Sequence, residues 1–262
     1  MDSSVKNLLY DHPEYYEVLY PDANDETPTM CRRIFARFLE APPRSILDIG
    51  CGTGRDLRSL HKTCSDCVGV DFLPKMVEYA QTRSDGIAFR VGDMRTLRLG
   101  QTFDVILCFG WTLMYALTNE DIGRTLETFG AHCHEGSLLI LDMQNAAAFL
   151  GDGFKPRAEG AVASTVFTAR YVAEHTLDRR RQVLCRQRTW QMPDGSVAQD
   201  FCRYRLFFPQ EIAHRLGGKG FTVLGMYDNR ELQDTDFTGP TIYTVARYGA
   251  EPAGPGDALE RA

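Results

Sequence analysis

Asp48-Ile49-Gly50-Cys51-Gly52-Thr53-Gly54 places an acid and then three glycines at alternate positions, where an apolar run gives way to a helical pattern. Glycines in such a bend let the backbone pass close beneath a ligand and adopt positive φ without a Cβ clash, and the helix start beyond them offers unpaired N–H groups. A dinucleotide-binding turn needs G-x-G-x-x-G, with a pyrophosphate seated on the helix dipole. The spacing here is G-x-G-x-G, Arg55 stands where the last glycine of that turn belongs, and Asp48 would repel a pyrophosphate. The carboxylate suits a cationic ligand instead, such as an ammonium held directly or through water. Two further acids follow in order: Asp71 closes Val68-Gly69-Val70-Asp71, and Asp93 closes Phe89-Arg90-Val91-Gly92-Asp93. Either alone is readable as a helix cap. In sequence and at this spacing the three read as one ligand site.

The elements that must hold these acids are legible as a rhythm. Apolar runs of strand length at 45–49, 67–70, 88–91, 103–109 and 137–142 alternate with helical patterns at 54–62, 75–82 and 120–133. Alternation of this kind predicts a parallel sheet covered on both faces. Ahead of it, residues 1–42 read as a helical, aromatic cap, with Met30, Ile34, Phe35, Phe38 and Leu39 at amphipathic spacing until Pro42-Pro43. Behind it, Gly151-Asp152-Gly153 breaks the chain. Alternating β-prone runs at 165–172, 182–192 and 197–208 follow, the last two joined by a Pro193-Asp194-Gly195 turn. A helix at 209–216 and strands at 221–227 and 241–248 return to the main sheet. The predicted fold is α/β: a doubly wound, mostly parallel seven-stranded Rossmann-like sheet with an N-terminal helical cap and an antiparallel β insertion. The expected division is a cap at 1–42, a ligand-binding domain at 43–150 and 209–248, an insertion at 151–208 and a flexible tail at 249–262.

Composition bounds the partners. The 262 residues are 44% hydrophobic and 24% charged, with a formal net charge of -6, which excludes a broad electrostatic grip on nucleic acid or an anionic membrane. Met1-Asp2-Ser3-Ser4 has no basic start and apolar run of a secretory leader, and the longest nearly apolar stretch, 105–117, is too short to cross a bilayer. Eight scattered cysteines, several inside apolar runs, suit buried thiols in a reducing compartment, so the expected location is cytoplasmic. Cys64-Ser65-Asp66-Cys67 has no second pair, and His132-Cys133-His134 no acid cluster, so no metal is expected. Arg170, Arg179, Arg180, Arg181, Arg186, Arg188, Arg203 and Arg205 crowd the insertion. They read as a solvated sheet face that discourages edge pairing, or as an anion patch; the insertion also offers a homodimer contact.

From Asp48 to Gly54, and then through Val68–Asp71, Phe89–Met94 and Asp104–Phe109, the sequence resembles class I S-adenosylmethionine (SAM)-dependent methyltransferases. Its layout is most similar to natural-product small-molecule members of the amino-sugar N-methyltransferase type. The resemblance implies SAM as cofactor and S-adenosylhomocysteine as product, bound by Asp48, Gly50, Gly52, Gly54, Asp71, Phe72, Asp93, Met94 and Phe109. In it Asp71 receives the ribose hydroxyls, Phe72 packs on adenine, Asp93 reaches the adenine amino group and Met94 supplies a backbone N–H. Aromatic faces attract a sulfonium, and Tyr16, Tyr20, Trp111 and Tyr115 are the candidates for that wall and for the catalytic site. The fourth strand ends Phe109-Gly110-Trp111-Thr112 without the Asn/Asp-Pro-Pro-aromatic motif of nucleic-acid base methyltransferases. A small-molecule acceptor is therefore expected. Similar enzymes often carry a histidine just past that strand, aligned here with Met114. Without that base, a SAM cyclase releasing methylthioadenosine stays open as an alternative, as does a non-catalytic SAM-binding module. An NAD-dependent oxidoreductase is disfavoured by the glycine spacing.

Overall fold

A computed structural model describes residues 6–21, 24–84, 86–150 and 154–249. The first residues, the break at 151–153 and the tail from 250 lie outside the described residues. Three helices, α1 (Leu8–Asp11), α2 (Pro13–Leu19) and α3 (Glu26–Phe38), precede β1 (Ser45–Ile49), α4 (Arg55–Leu60), β2 (Asp66–Asp71), α5 (Pro74–Thr82), β3 (Ala88–Val91), β4 (Phe103–Cys108), α6 (Asn119–Ala131) and β5 (Cys133–Gln144). Four strands follow, β6 (Arg157–Ala163), β7 (Thr168–Asp178), β8 (Val183–Gln191) and β9 (Val197–Arg205). The chain then closes with α7 (Pro209–Gly217), β10 (Phe221–Tyr227) and β11 (Thr241–Tyr248). Proline at the first turn of α2, α5 and α7 fixes φ where no N–H is needed, and Thr118 caps α6 by accepting from Asp121 N.

The seven-stranded sheet has the order β10-β11-β5-β4-β1-β2-β3, parallel except where β11 runs against both neighbours. Its core explains the near-continuous apolar strands. Ile46, Val105, Leu107, Leu138 and Ile140 pack on one face with Met30 and Ile34 of α3, Leu57 and Leu60 of α4 and Val77 of α5. Leu47, Ile49, Ile106, Cys108, Leu139 and Leu141 pack on the other with Ile122, Leu126 and Phe129 of α6 and Ile212 and Leu216 of α7. Successive side chains of a strand point to opposite faces, so only a doubly covered sheet can bury both sets. Each such Leu or Ile contributes roughly 1.5–3 kcal/mol by burial. After β3 the chain crosses from the β2 side of β1 to the β4 side, opening a crevice at the carboxyl ends of the strands.

The insertion is a four-stranded antiparallel sheet, β6-β7-β8-β9. Its first strand was not expected, because Arg157–Ala163 is an exposed edge with little apolar alternation. β5 is longer than the apolar run, since its polar ends pair with Phe103 on one side and Thr241 on the other. Cap and insertion, distinct in sequence, share a cluster of Leu9, Phe167, Ala169 and Trp190 with Tyr15, Tyr16 and Leu19 against it. Lys6 bridges to Phe201, and Leu8 N donates to Asp200 Oδ1 at 2.6 Å. The solvated-face reading suits the exposed Arg170, Arg179, Arg180 and Arg181 but needs correcting for three others. Arg188 is buried against Asp200 (Nη2–Oδ2 2.7 Å) and Arg205 against Glu211 (2.7 Å), while Arg186 turns toward the crevice.

Candidate active site

Two adjoining cavities occupy the crevice and share Tyr10, Tyr16, Gly50, Gly52, Phe109, Gly110 and Tyr115. The first, about 690 Å³, lies over Ile49, Asp71, Phe72, Asp93 and Met94. The second, about 1200 Å³, runs from Asp48, Asp56 and Asp142 to Trp111, Tyr20, Tyr204, Arg186 and Arg230.

The glycine bend is built as the motif requires. Gly50 lies at φ 86°, where an added Cβ would fall 2.3 Å from Thr112 Oγ1. Gly54, at φ 73°, would meet Phe89 Cζ at 2.6 Å; it seats α4 against β3 and does not line either cavity, unlike the other glycines of the motif. Asp71 clamps the bend, its Oδ2 accepting from Gly52 N at 2.8 Å and its Oδ1 from Leu73 N at 2.9 Å, which leaves lone pairs on both oxygens. Burial raises its carboxyl despite those bonds. Asp93 is gripped by Arg95, with Nε–Oδ1 at 3.0 Å and Nη2–Oδ2 at 2.6 Å; that guanidinium holds its carboxyl down at about 2, and it stays ionised. Phe72 is 40% exposed on the cavity wall, and Met94 and Phe109 line the same space from deeper positions.

Asp48 is 4% exposed, and its Oδ1 has no hydrogen-bond partner. Burial, and then the negative neighbours Asp56, Asp71 and Asp142, push its carboxyl well above the usual range. An orphaned acid facing a cavity asks for a cation. Asp142, at the carboxyl end of β5, was not among the expected site residues, although it closes the Leu138–Leu141 run as an acid. Its Oδ1 accepts from Trp111 N at 2.8 Å. Burial raises it to about 7, against the pull of the Trp111 and Gly110 N–H groups. That bond holds Trp111 in a left-handed conformation (φ 61°), sparsely populated for a bulky residue.

The aromatic wall is larger than expected. Tyr16, Tyr20, Trp111 and Tyr115 all line the second cavity, joined by Tyr10 and Tyr204. The Tyr10 and Tyr115 hydroxyls are hydrogen-bonded, and the Tyr115 and Tyr204 ring centroids stand 5.3 Å apart. The cap closes on the glycine bend through Glu17 with Thr53 Oγ1 and Arg55 with Tyr20 O. Met114 does not reach the site. It is fully buried, with its sulfur accepting from Gln144 N, so its identity says nothing about a base. No histidine lines either cavity among the described residues. His132 is tied to Thr128 O and Leu99 N, and Cys67 donates to Cys64 O within the core.

A family model described as a methyltransferase domain matches residues 46–136. That span holds β1 to the start of β5, with Asp48, the glycine bend, Asp71 and Asp93. Over these residues the chain is similar to a methyltransferase domain. The chain is 28% identical over 136 residues to a dTDP-3-amino-3,4,6-trideoxy-alpha-D-glucopyranose N,N-dimethyltransferase of Streptomyces venezuelae, covering 50% of this chain and 56% of the relative. It is 29% identical over 157 residues to a dTDP-4-amino-2,3,4,6-tetradeoxy-D-glucose N,N-dimethyltransferase of Saccharopolyspora spinosa, covering 58% and 61%. The chain thus spans little more than half the length of these curated relatives. In fold it superposes on a SAM-dependent methyltransferase of Clostridium acetobutylicum with TM-score 0.78 (17% identity, 93% of this chain and 100% of that one). On a SAM-bound amino pentose methyltransferase of Micromonospora echinaspora the TM-score is 0.71 (21% identity, 94% and 100%). The residues present fit SAM: an orphaned buried acid for an ammonium, a buried carboxylate with free lone pairs for a diol, and an aromatic wall for a sulfonium.

Proposed function

We propose that the chain transfers the methyl group of SAM to a nucleophile on a small molecule, with an amine as the acceptor atom. The observation that carries this is the second cavity, which extends the first toward Asp142, Trp111, Tyr204 and Arg186 and leaves room for a second substrate. A ring closure within SAM needs no such space, and nothing favours it. SAM would supply an already activated methyl carbon on a cationic sulfur. Asp48, Gly50, Gly52, Asp71, Phe72, Asp93, Met94 and Phe109 would hold it, while Tyr16, Tyr20, Trp111 and Tyr115 form the wall beside the sulfonium. The protein's task is then to align a nucleophile and exclude water, which the cap and insertion accomplish by closing over the crevice. Asp142, raised to about 7, is the group poised to orient an amine and take its proton. The named acceptors of the relatives make nucleotide-linked amino sugars the first compounds to test. Eight free cysteines, most of them buried, support a reducing, cytoplasmic setting, and the net charge of -6 disfavours nucleic acid as substrate. Incubation with SAM and a panel of dTDP-amino sugars and small amines should give S-adenosylhomocysteine only when an acceptor is present. Methylthioadenosine from SAM alone, or SAM binding with no turnover on any amine, would contradict the reading.

A further inference from the structure

Arg186 is out of keeping with the other enclosed cations. Arg188 and Arg205 each meet a carboxylate, Asp200 and Glu211, within 2.7 Å, and Arg95 meets both Asp93 and Asp121. Arg186, on β8, comes within ion-pair distance of no carboxylate among the described residues. Its Nη2 donates only to Cys202 Sγ at 3.4 Å, its guanidinium carbon lies 5.5 Å from the Tyr204 ring centroid, and its Nε is buried without a hydrogen-bond partner. The groups that dominate its electrostatic surroundings are Tyr204, Cys202, Tyr20 and Tyr115, none of them a carboxylate. Removing a cation from water without a counter-charge is unfavourable, and the protein has left this one at the wall of the cavity that serves the acceptor. The acidic groups of that cavity, Asp48, Asp56 and Asp142, sit on the strand-end side. Arg55 and Arg230 also line that side but are paired with Glu17 and Glu26, so Arg186 is the cavity's guanidinium on the insertion side, away from those carboxylates.

We propose that Arg186 is an anion-binding residue of the acceptor cavity, so that the acceptor carries a carboxylate or phosphate group in addition to its nucleophile. The planar guanidinium, with Nε still free, suits a two-point contact with either group. This rests on the proposed methyl transfer only in assigning the second cavity to the acceptor.

The test is calorimetric titration of inorganic diphosphate and of acetate into protein saturated with S-adenosylhomocysteine, for wild type, Arg186→Met, Arg186→Gln and Arg186→Lys. Saturable binding of either probe to wild type, weakened at least tenfold in R186M and R186Q and partly restored in R186K, supports the assignment. Response to diphosphate alone points to a phosphate-bearing acceptor, and response to acetate alone to a carboxylate-bearing one. Unchanged S-adenosylhomocysteine affinity in the variants shows that the fold is kept. Binding of both probes equally by wild type and R186M, or by neither protein, overturns the proposal. Failure of wild type to bind S-adenosylhomocysteine at all would instead remove the methyl-transfer reading.

Discussion

The most exposed commitment at the level of single residues concerns Asp142. Asp48, Asp56, Arg230 and Tyr243 bear on its charge from β1, α4, the segment after β10 and β11. A carboxyl whose folded-state value is raised to about 7 from an ordinary value near 4 favours the protonated folded state. It therefore supports stability below about pH 4 and loses that support as pH rises toward 7. Asp142→Asn keeps an oxygen for Trp111 N–H and removes the ionisation. The variant should melt higher than wild type at pH 8 in the absence of ligands. It should also lose roughly a hundredfold in kcat, the scale of one general base. The rise of kcat/KM near pH 7 should vanish with it. A variant with wild-type kcat and an unchanged pH profile would exclude Asp142 from the chemistry.

At the level of elements, the lid is one unit made from two distant stretches of chain. Asp200 holds Arg188, Trp190 Nε1 (2.8 Å) and Leu8 N together, all in or against the Leu9-Phe167-Trp190 cluster. Asp200→Ala leaves Arg188 buried without its counter-charge and should cost about 3–5 kcal/mol. The loss should appear as a lower melting temperature and as faster amide exchange in α1, α2, β8 and β9. Slowed or unchanged exchange there would show that cap and insertion are not coupled. The βα rhythm was legible because burial on both faces writes apolar runs into each strand, and the glycine bend because only that spacing permits the backbone path at Gly50. Arg157–Ala163 left no periodic signal as an exposed edge. The cap–insertion contact and the turn of Arg186 into the crevice arise from packing between residues nearly two hundred positions apart, which no local pattern encodes. Asp142 was visible as a strand-ending acid but had no motif to single it out. Met114 shows the opposite failure: a position that alignment places beside the reaction is in the core.

For the whole molecule, the sheet sets the carboxyl ends of β1, β4 and β5 under a lid, and the crevice between them carries unbalanced charge at both ends. The orphaned Asp48 destabilises the ligand-free protein and becomes favourable only when a cation arrives. Titration of purified protein with S-adenosylhomocysteine, for wild type and Asp48→Asn, reads this directly. Wild type should bind saturably at one site. The variant should bind about thirtyfold more weakly, as loss of one partner of a buried charge contact worth roughly 2 kcal/mol implies, while melting no lower than wild type without ligand. No saturable binding by wild type, or equal binding by a folded Asp48→Asn protein, would contradict the account.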